Sequence, residues 1–417
     1  MEKVLILMTI MLLLLLPRIW RQEFVSPAVI NLYWNIFFIF GAVILLGGET
    51  QWQYGGIVWI LFSCCTCLAG QKLGGLIRVV KVDNKQCSRR TYLNIILIGI
   101  IIVGILNPIV YLRAFGYSVT DLFNINKLLE LNAEIAYDRY YEHKFSAPII
   151  SMISTIVIYT GTLIGGYSFL FMKKTFGRCL SVATLFPILF LAMITNGKVG
   201  VIACAFLWGI GWLVHMLSLK KTGKILNKKI VIKGIIVIAL GVAFLDLTML
   251  MRIGNINRET QMIVNNKLRE YAFGQIQAFA VWFSRYEGTN LDLGSNTYMF
   301  LTNWLGLTVR KQGVYDVVPG IDTNIFTQNR GIIEDFGKIG GLLYWTMIGI
   351  LSGVSYKKVK EGSGNCIGPK VILSGLYFMI LYGFIISPWI YSSYILAFMG
   401  FAFFLMVIRK YRFGFER

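Results

Sequence analysis

The sequence predicts an all-α integral membrane protein: a polytopic helical bundle of about eleven transmembrane helices, roughly ten to twelve, with one long outward-facing helical loop between late spans. Composition is the first observation behind this. Of 417 residues, 56% are hydrophobic and 14% charged, with a mean hydropathy of +0.67, whereas a soluble domain carries roughly 25% charged residues. The second is that apolar runs long enough to cross a hydrocarbon core recur along the whole chain. The third is charge placement. The formal net charge is +20, but the basic residues sit in short clusters between apolar runs. That pattern orients membrane helices and does not track nucleic-acid phosphates, so nucleic acid is not an expected partner.

Each crossing needs about 20 largely apolar residues. On that rule spans fall near 3–20, 26–47, 54–72, 92–114, 147–171, 178–195, 199–218, 230–250, 338–355, 371–387 and 391–408. The first run, VLILMTIMLLLLLP, has the length of a signal peptide's apolar core, but no small-residue cleavage site follows it. Pro17, Arg18 and Arg21 come instead, so a retained first helix is expected. The seven cysteines lie mostly in apolar segments or basic loops without zinc-ligand context and read as small core residues. The chain is expected to be a single polytopic domain, 1–417.

Orientation follows from lysine and arginine. Alternate connections hold 25 of the 40 basic residues, against only Glu23, Asp83, Glu361 and Glu416. That side is expected to be cytoplasmic, and an odd span count puts the N-terminus outside and the C-terminus inside. The opposite side holds a connection at 115–146 and an interval at 251–336. In the first, leucines and isoleucines recur at helical spacing from Thr120 to Tyr141, with Ser118 or Thr120 able to cap the start. This predicts an amphipathic helix lying on the outer membrane face.

The interval 251–336 is the long polar stretch of the chain, and the chemistry is expected there. It holds six arginines (252, 258, 269, 285, 310, 330) and eight carboxylates. Between Tyr271 and Tyr286, Phe273, Ile276, Gln277, Ala280 and Ser284 recur at 3–4 spacing, while Trp282 and Tyr286 add flat apolar faces. Rings beside arginine and amide side chains suit a sugar groove, with Trp282, Tyr286, Arg285 and Asn324 as candidate contacts; the plainer reading is an interfacial aromatic belt. Arginine forks match phosphate oxygens, and Arg252, Arg258 and Arg330 sit beside spans, at the depth of a lipid diphosphate. Snorkelling to lipid phosphates is the plainer reading.

Glu334 is one helical turn from Arg330 and reads as a structural ion pair. Asp335 and Asp322 are the candidate general bases. Asp246 lies inside a span, where a carboxylate is usually paired or functional, with Arg252 as a candidate partner. Lys198, in TNGKVG at the end of a tight hairpin, is a further candidate diphosphate contact. His215 reads as structural, and nothing near His143 selects it as a base. No Walker A pattern, paired cytoplasmic aspartates or metal-ligand spacing occurs, so neither a metal nor a cofactor is expected.

The closing segment PGIDTNIFTQNRGIIEDFGKIGG (319–341) resembles that of the Wzy-type O-antigen and capsule repeat-unit polymerases of bacteria: a run of Asn, aromatic and Thr ahead of Glu/Asp-Phe-Gly opening a late span. FGQIQAFAVWF (273–283) and the hydropathy profile over nearly the whole chain are similar too. One departure is Asn196-Gly197-Lys198, where many relatives show a Ser/Gly-Arg pair, and this weakens the diphosphate role of Lys198. The resemblance implies a metal-independent glycosyltransferase of the bacterial inner membrane. Such an enzyme moves the growing glycan from undecaprenyl diphosphate onto the next lipid-linked repeat unit, beside a flippase and a chain-length regulator. It implies that Arg252, Arg258 and Arg330 bind the departing diphosphate and that Asp335 or Asp322 deprotonates the acceptor. Two rivals share parts of this reading. An O-antigen ligase uses the same donor, but no histidine occurs between 251 and 336, where such ligases have one. A flippase or other transporter of lipid-linked oligosaccharide fits less well, because the chain shows no internal repeat and one interval is 86 residues long.

Overall fold

The structure, a computed structural model, describes residues 2–46, 53–77, 91–138, 141, 147–195, 197–220, 228–253, 257–288, 291–309, 323, 325, 327–362 and 366–410. Among them the regular structure is helical, with no strand. The helices are α1 (Glu2–Ile19), α2 (Pro27–Leu45), α3 (Tyr54–Leu76), α4 (Thr91–Ala114), α5 (Ile125–Tyr137), α6 (Ile149–Ser168), α7 (Thr175–Ala183), α8 (Phe186–Thr195), α9 (Lys198–Ser218), α10 (Lys228–Ile253), α11 (Arg258–Arg285), α12 (Met299–Trp304), α13 (Gln328–Glu361), α14 (Ile367–Tyr382) and α15 (Ser392–Lys410).

Among the described residues seven segments are long and apolar enough to cross a membrane: Pro27–Leu45, Tyr54–Leu76, Leu93–Ala114, Ile149–Ser168, Thr175–Thr195, Lys198–Ser218 and Gln328–Glu361. This is a helical membrane protein. Four further apolar stretches, Ile6–Ile19 in α1, Gly241–Leu250 in α10, Ile367–Tyr382 (α14) and Ser392–Ile408 in α15, add 10–17 residues each among the described residues. Each span expected from the sequence falls on one of these eleven segments, seven of which, among the described residues, meet the length and hydropathy of a full crossing.

The chain forms two compact units. The first comprises Met1–Val82 and Asn266–Ser392. Its core joins α1, α2, α3 and α14 to α11 and α13, through Ile39, Ile57, Ile60, Leu68, Phe279, Ile332, Trp345 and Ile380 among others. Glycines set its tightest contact. Gly70 and Gly74 on α3 face Gly349 and Gly353 on α13, each pair four residues apart and therefore on one helix face. A Cβ at Gly70 or Gly74 would run into the carbonyl oxygen of Thr346 or Ile350; one at Gly349 or Gly353 would meet that of Cys67 or Gln71. Backbone therefore lies on backbone, the packing that small-xxx-small pairs give in lipid, where water supplies no drive for helices to associate. The start of α2 is held from α3: Gln71 Oε1 accepts from Ala28 N at 2.8 Å, and Gln71 Nε2 donates to Gln22 Oε1 and Ser26 Oγ, each at 2.8 Å. Pro27 sits at the first turn, where no amide hydrogen is needed. At the far end of α13, Glu23 receives a hydrogen bond from Tyr356 Oη at 2.7 Å and an ion pair from Lys360.

The second unit comprises Asp83–Asn265 and Ser393–Arg417. Here α6 and α9 approach through Gly166 and Gly211, whose absent Cβ atoms would meet Trp208 O and Leu163 O. Pro108 interrupts α4 and leaves the Gly104 carbonyl without its usual donor; Ser154 Oγ on α6 supplies one at 3.1 Å. The expected amphipathic helix of the 115–146 connection is α5. A 3-10 turn, Val119–Phe123, carries a Ser118–Asp121 capping box, and Asn124 then caps α5 by accepting from Asn126 N at 3.0 Å. Its apolar face, Leu131 and Ile135, is covered by Leu112 and Ile194. The stripe thus packs on protein, while Phe123 and Ile125 beside it stay exposed. His215 is structural, with Nδ1 donating to Tyr167 O and its ring stacked on Tyr167. Among the described residues the cysteines are free thiols, and Cys64, Cys67 and Cys204 are buried.

Candidate functional site

The polar interval is mostly folded chain. Over half of it is helical: α11 and the opening turns of α13 lie inside it. Of the α11 residues at 3–4 spacing, Ile276, Gln277 and Ala280 are buried and Phe273 packs against the first unit's core, whereas Ser284 is exposed; Phe279 joins the buried face. Gly41 and Gly56 on α2 and α3 make room for this face, lying against the Phe273 ring and Ala280 Cα respectively. The next turn carries the aromatic series outward. Phe279 is 5.8 Å from Trp282, and Trp282 is 4.8 Å from Tyr286 between ring centroids, so burial of the first ring fixes where the other two stand.

A break in α13 builds the opposite wall. Gly337 has φ +74° and ψ 172° inside α13, so the opening segment 328–336 ends there as a short helix. A glycine just past a helix end takes the left-handed backbone at no steric cost. The last carbonyls before it then need donors, and the preceding loop supplies them: Tyr286 Oη to Ile333 O at 3.2 Å, Asp292 N to Glu334 O at 3.1 Å and Leu293 N to Asp335 O at 3.2 Å. The Asp335 side chain binds the same loop. Its Oδ1 accepts from Asn296 N at 2.9 Å and Nδ2 at 3.2 Å, both partly buried, and its Oδ2 accepts from Thr297 N at 2.6 Å in full burial. Thr297 O is held in turn by Ser387 Oγ at 2.8 Å. The other end of the short helix starts at Thr327, whose Oγ1 accepts from Asn329 N, and Trp345 Nε1 donates to Asn329 Oδ1 at 3.0 Å.

Between these walls lies an open cleft of about 470 Å³, lined by Trp282, Arg285, Tyr286, Glu287, Gly288, Asp292 and Glu334. Arg330 stands behind it, 5% exposed, with Nε donating to Glu334 Oε1 at 3.0 Å and the guanidinium 5.2 Å from the Trp282 ring centroid. Lys338 Nζ lies 4.5 Å from the Phe283 ring centroid and 5.8 Å from that of Tyr286. Partial burial, and then the negative charges of Glu334, Asp292 and Asp335, push the Tyr286 phenol above its ordinary pKa. It is therefore a neutral donor at physiological pH.

Of the residues the sequence marks as candidates, the structure brings together Trp282, Arg285, Tyr286, Arg330 and Asp335, together with Glu334. Arg330 and Glu334 form the expected ion pair. Asp335 is beside the cleft without lining it. Lys198 opens α9, Arg252 belongs to the end of α10, and Arg258 is the exposed first residue of α11; all three belong to the second unit. Asp322 and Asn324 lie outside the described residues. Asp246 has a buried Oδ1 without a hydrogen-bond partner. Sequence reasoning missed Glu287 and Asp292 as cleft residues and Asn296 and Thr297 as the clamp on Asp335. A signal for the loop was present in DLGSNT at 292–297, a turn-forming cluster, and in the glycine directly after Glu334-Asp335-Phe336. Among the described residues no group of His, Cys, Asp and Glu could hold a metal ion.

Comparison with known proteins adds no relative: no family model matches the chain, and neither a curated protein nor a solved structure matches it.

Proposed function

We propose that this protein is a polymerase of lipid-linked oligosaccharide repeat units: a metal-independent membrane glycosyltransferase acting in O-antigen, capsule or exopolysaccharide synthesis. The observation that carries this reading is the cleft, in which two aromatic faces, an arginine and three carboxylates converge beside the buried Arg330–Glu334 pair. Pyranose C–H faces stack on rings, and charged forks and carboxylates take up hydroxyls, so the lining is that of a carbohydrate site. The resemblance of 319–341 and 273–283 to the Wzy-type polymerases points the same way, since those segments form the cleft's two walls.

In this reading an acceptor hydroxyl attacks the anomeric carbon of the donor glycan. The new glycosidic C–O bond forms as the bond to the diphosphate oxygen breaks, and undecaprenyl diphosphate leaves. The hydroxyl proton passes to a carboxylate and from there to solvent or the leaving group. The geometry favours Glu334 over Asp335 for that proton, because Glu334 lines the cleft whereas three N–H donors occupy Asp335. Arg330 then orients Glu334, and Asp335 holds the loop. Arg252, Arg258 and Lys198 remain the proposed diphosphate contacts, with Asp322 and Asn324 as further site residues. The chain would cross a bacterial inner membrane about eleven times, N-terminus outside and C-terminus cytoplasmic, with the cleft facing outward and a flippase and a chain-length regulator as partners.

A glycan ladder on a gel tests this, from a strain lacking the gene and complemented with wild type, Arg330→Ala or Glu334→Gln at matched protein level. Single-repeat lipid in the deletion strain, a ladder with wild type and loss of the ladder in both variants are expected. If no repeat reaches the surface without the gene, translocation or ligation is the failing step and the polymerase reading is wrong.

A further inference from the structure

We infer that the cleft between Trp282 and Glu334 receives the acceptor's terminal sugar, an uncharged or amino-bearing residue, and that the donor's diphosphate binds elsewhere. This rests on the polymerase reading and divides its two substrates between sites.

Charge is the first ground. A diphosphate needs converging cations, and among the described residues this cleft's lining offers one, Arg285, against Glu287, Asp292 and Glu334. Two other cations nearby among the described residues are engaged with the walls. Arg330 donates to Glu334 and lies over Trp282, and Lys338 lies over Phe283. An anion entering would meet three carboxylates with one counter-charge facing it, while an ammonium or a neutral hydroxyl would meet acceptors.

Shape is the second ground. The Trp282 and Tyr286 rings pack on each other at 4.8 Å and 34°, are anchored by buried Phe279 and both line the cleft, with Arg330 over part of the Trp282 ring. The ring surface left open to the cleft suits the C–H groups of a pyranose and offers nothing to phosphate oxygens. A volume of about 470 Å³ is in the range of roughly 300–1,000 Å³ usual for small-molecule sites. The third ground is rigidity. The loop that brings Asp292 into the lining is fixed by the Asp335 carboxylate at Asn296 and Thr297, so the acidic wall is formed in advance of the ligand.

The test is isothermal titration of the full-length protein in nanodiscs with four probes: chitosan trisaccharide (cationic), cellotriose (neutral), tri-galacturonate (anionic) and inorganic pyrophosphate. The cationic and neutral trisaccharides are expected to bind at least about tenfold more tightly than the anionic one. Trp282→Ala should weaken them at least about tenfold, Trp282→Tyr should retain most of the binding, and Glu287→Gln with Asp292→Asn should erase the preference over the anionic sugar. Pyrophosphate binding should be unchanged in all of them. Thermal melting of each variant separates loss of binding from loss of fold, and Trp282→Tyr keeps the test decisive if Trp282→Ala melts early. Tight binding of the anionic sugar, no binding of any saccharide, or weakening of pyrophosphate by Trp282→Ala would each overturn the assignment. The glycan ladder tells the failures apart. If the deletion strain lacks the ladder but the cleft variants restore it, this assignment fails and the polymerase reading stands; a ladder that persists in the deletion strain refutes the polymerase reading itself.

Discussion

Replacing Asp335 with alanine withdraws the acceptor of three N–H groups, two of them backbone amides in a loop that has no other partner for them in the structure. A buried donor left unsatisfied costs about 1–3 kcal/mol, and hydrogen bonds to a charged group sit at the upper end of the usual range. Two stranded amides therefore cost about 4 kcal/mol, reduced to roughly 3 kcal/mol because a buried carboxylate's own desolvation penalty is also removed. The loss is local at first. Asp292 N and Leu293 N cap the short helix before Gly337 from the same loop, so freeing the loop uncaps Glu334 O and Asp335 O as well. For a unit of about 200 residues this lowers the melting temperature by roughly 6–12 °C. The assay is a thermal melt of the purified full chain in detergent, with hydrogen exchange at residues 292–297. Asp335→Asn should fall between, since it keeps one oxygen acceptor and turns an amide toward a donor. An Asp335→Ala protein that melts with wild type, retains exchange protection at 296 and 297 and yet makes no polymer would refute the reasoning and return Asp335 to the role of base.

Gly349→Leu should separate α3 from α13, because the side chain has only the Cys67 carbonyl to enter; a loss of about 3 kcal/mol, read as a fall in melting temperature and in monodisperse yield, is expected, and a wild-type melt would show the backbones are not in contact. Arg330→Lys should lose at least about tenfold in polymer yield while the fold persists, since lysine cannot make the Nε bond to Glu334 and cover Trp282 at once; full activity would show that a point charge suffices. Lys127 and the Ser118 hydroxyl and amide hold the Asp121 carboxyl below its usual pKa. Its folded value is the lower one, so its contribution is complete above the usual carboxylate range of about 4 and is lost as pH falls through the folded value. Protection factors at 125–128, exchange rates corrected for their intrinsic pH dependence, should therefore fall on strong acidification in wild type and stay flat with pH in Asp121→Asn.

How much was legible differs between elements for physical reasons. Hydropathy located every apolar helix, because burial in lipid is a property of the residues themselves. It does not show how a span is built: the run expected at 178–195 is two helices, α7 and α8, which together make one candidate span, and the run expected at 371–387 is displaced to Ile367–Tyr382 as α14. The period in α5 identified Leu131 and Ile135 as one face, but a 3.6-residue stripe says only that something apolar covers it, and here that is Leu112 and Ile194. The i,i+4 spacing of Arg330 and Glu334 was enough to foresee their pairing, since a helix brings those positions together without help from the rest of the fold.

The sequence by itself determined the class, the helices, the aromatic series at 279–286 and the Arg330–Glu334 pair, all consequences of composition and of spacing within one element. Only the tertiary structure decided which carboxylate meets the cleft. Glu334 and Asp335 are neighbours of the same chemistry. The helix break at Gly337 and the loop returning from 291 turn one toward Arg330 and the opening and hand the other to three N–H groups of that loop. That division depends on contacts between residues 38 and 39 positions apart, which no local pattern records. The facing glycines of α3 and α13 teach the same lesson: each GxxxG is visible in its own helix, but that they meet each other depends on the packing of segments some 280 residues apart.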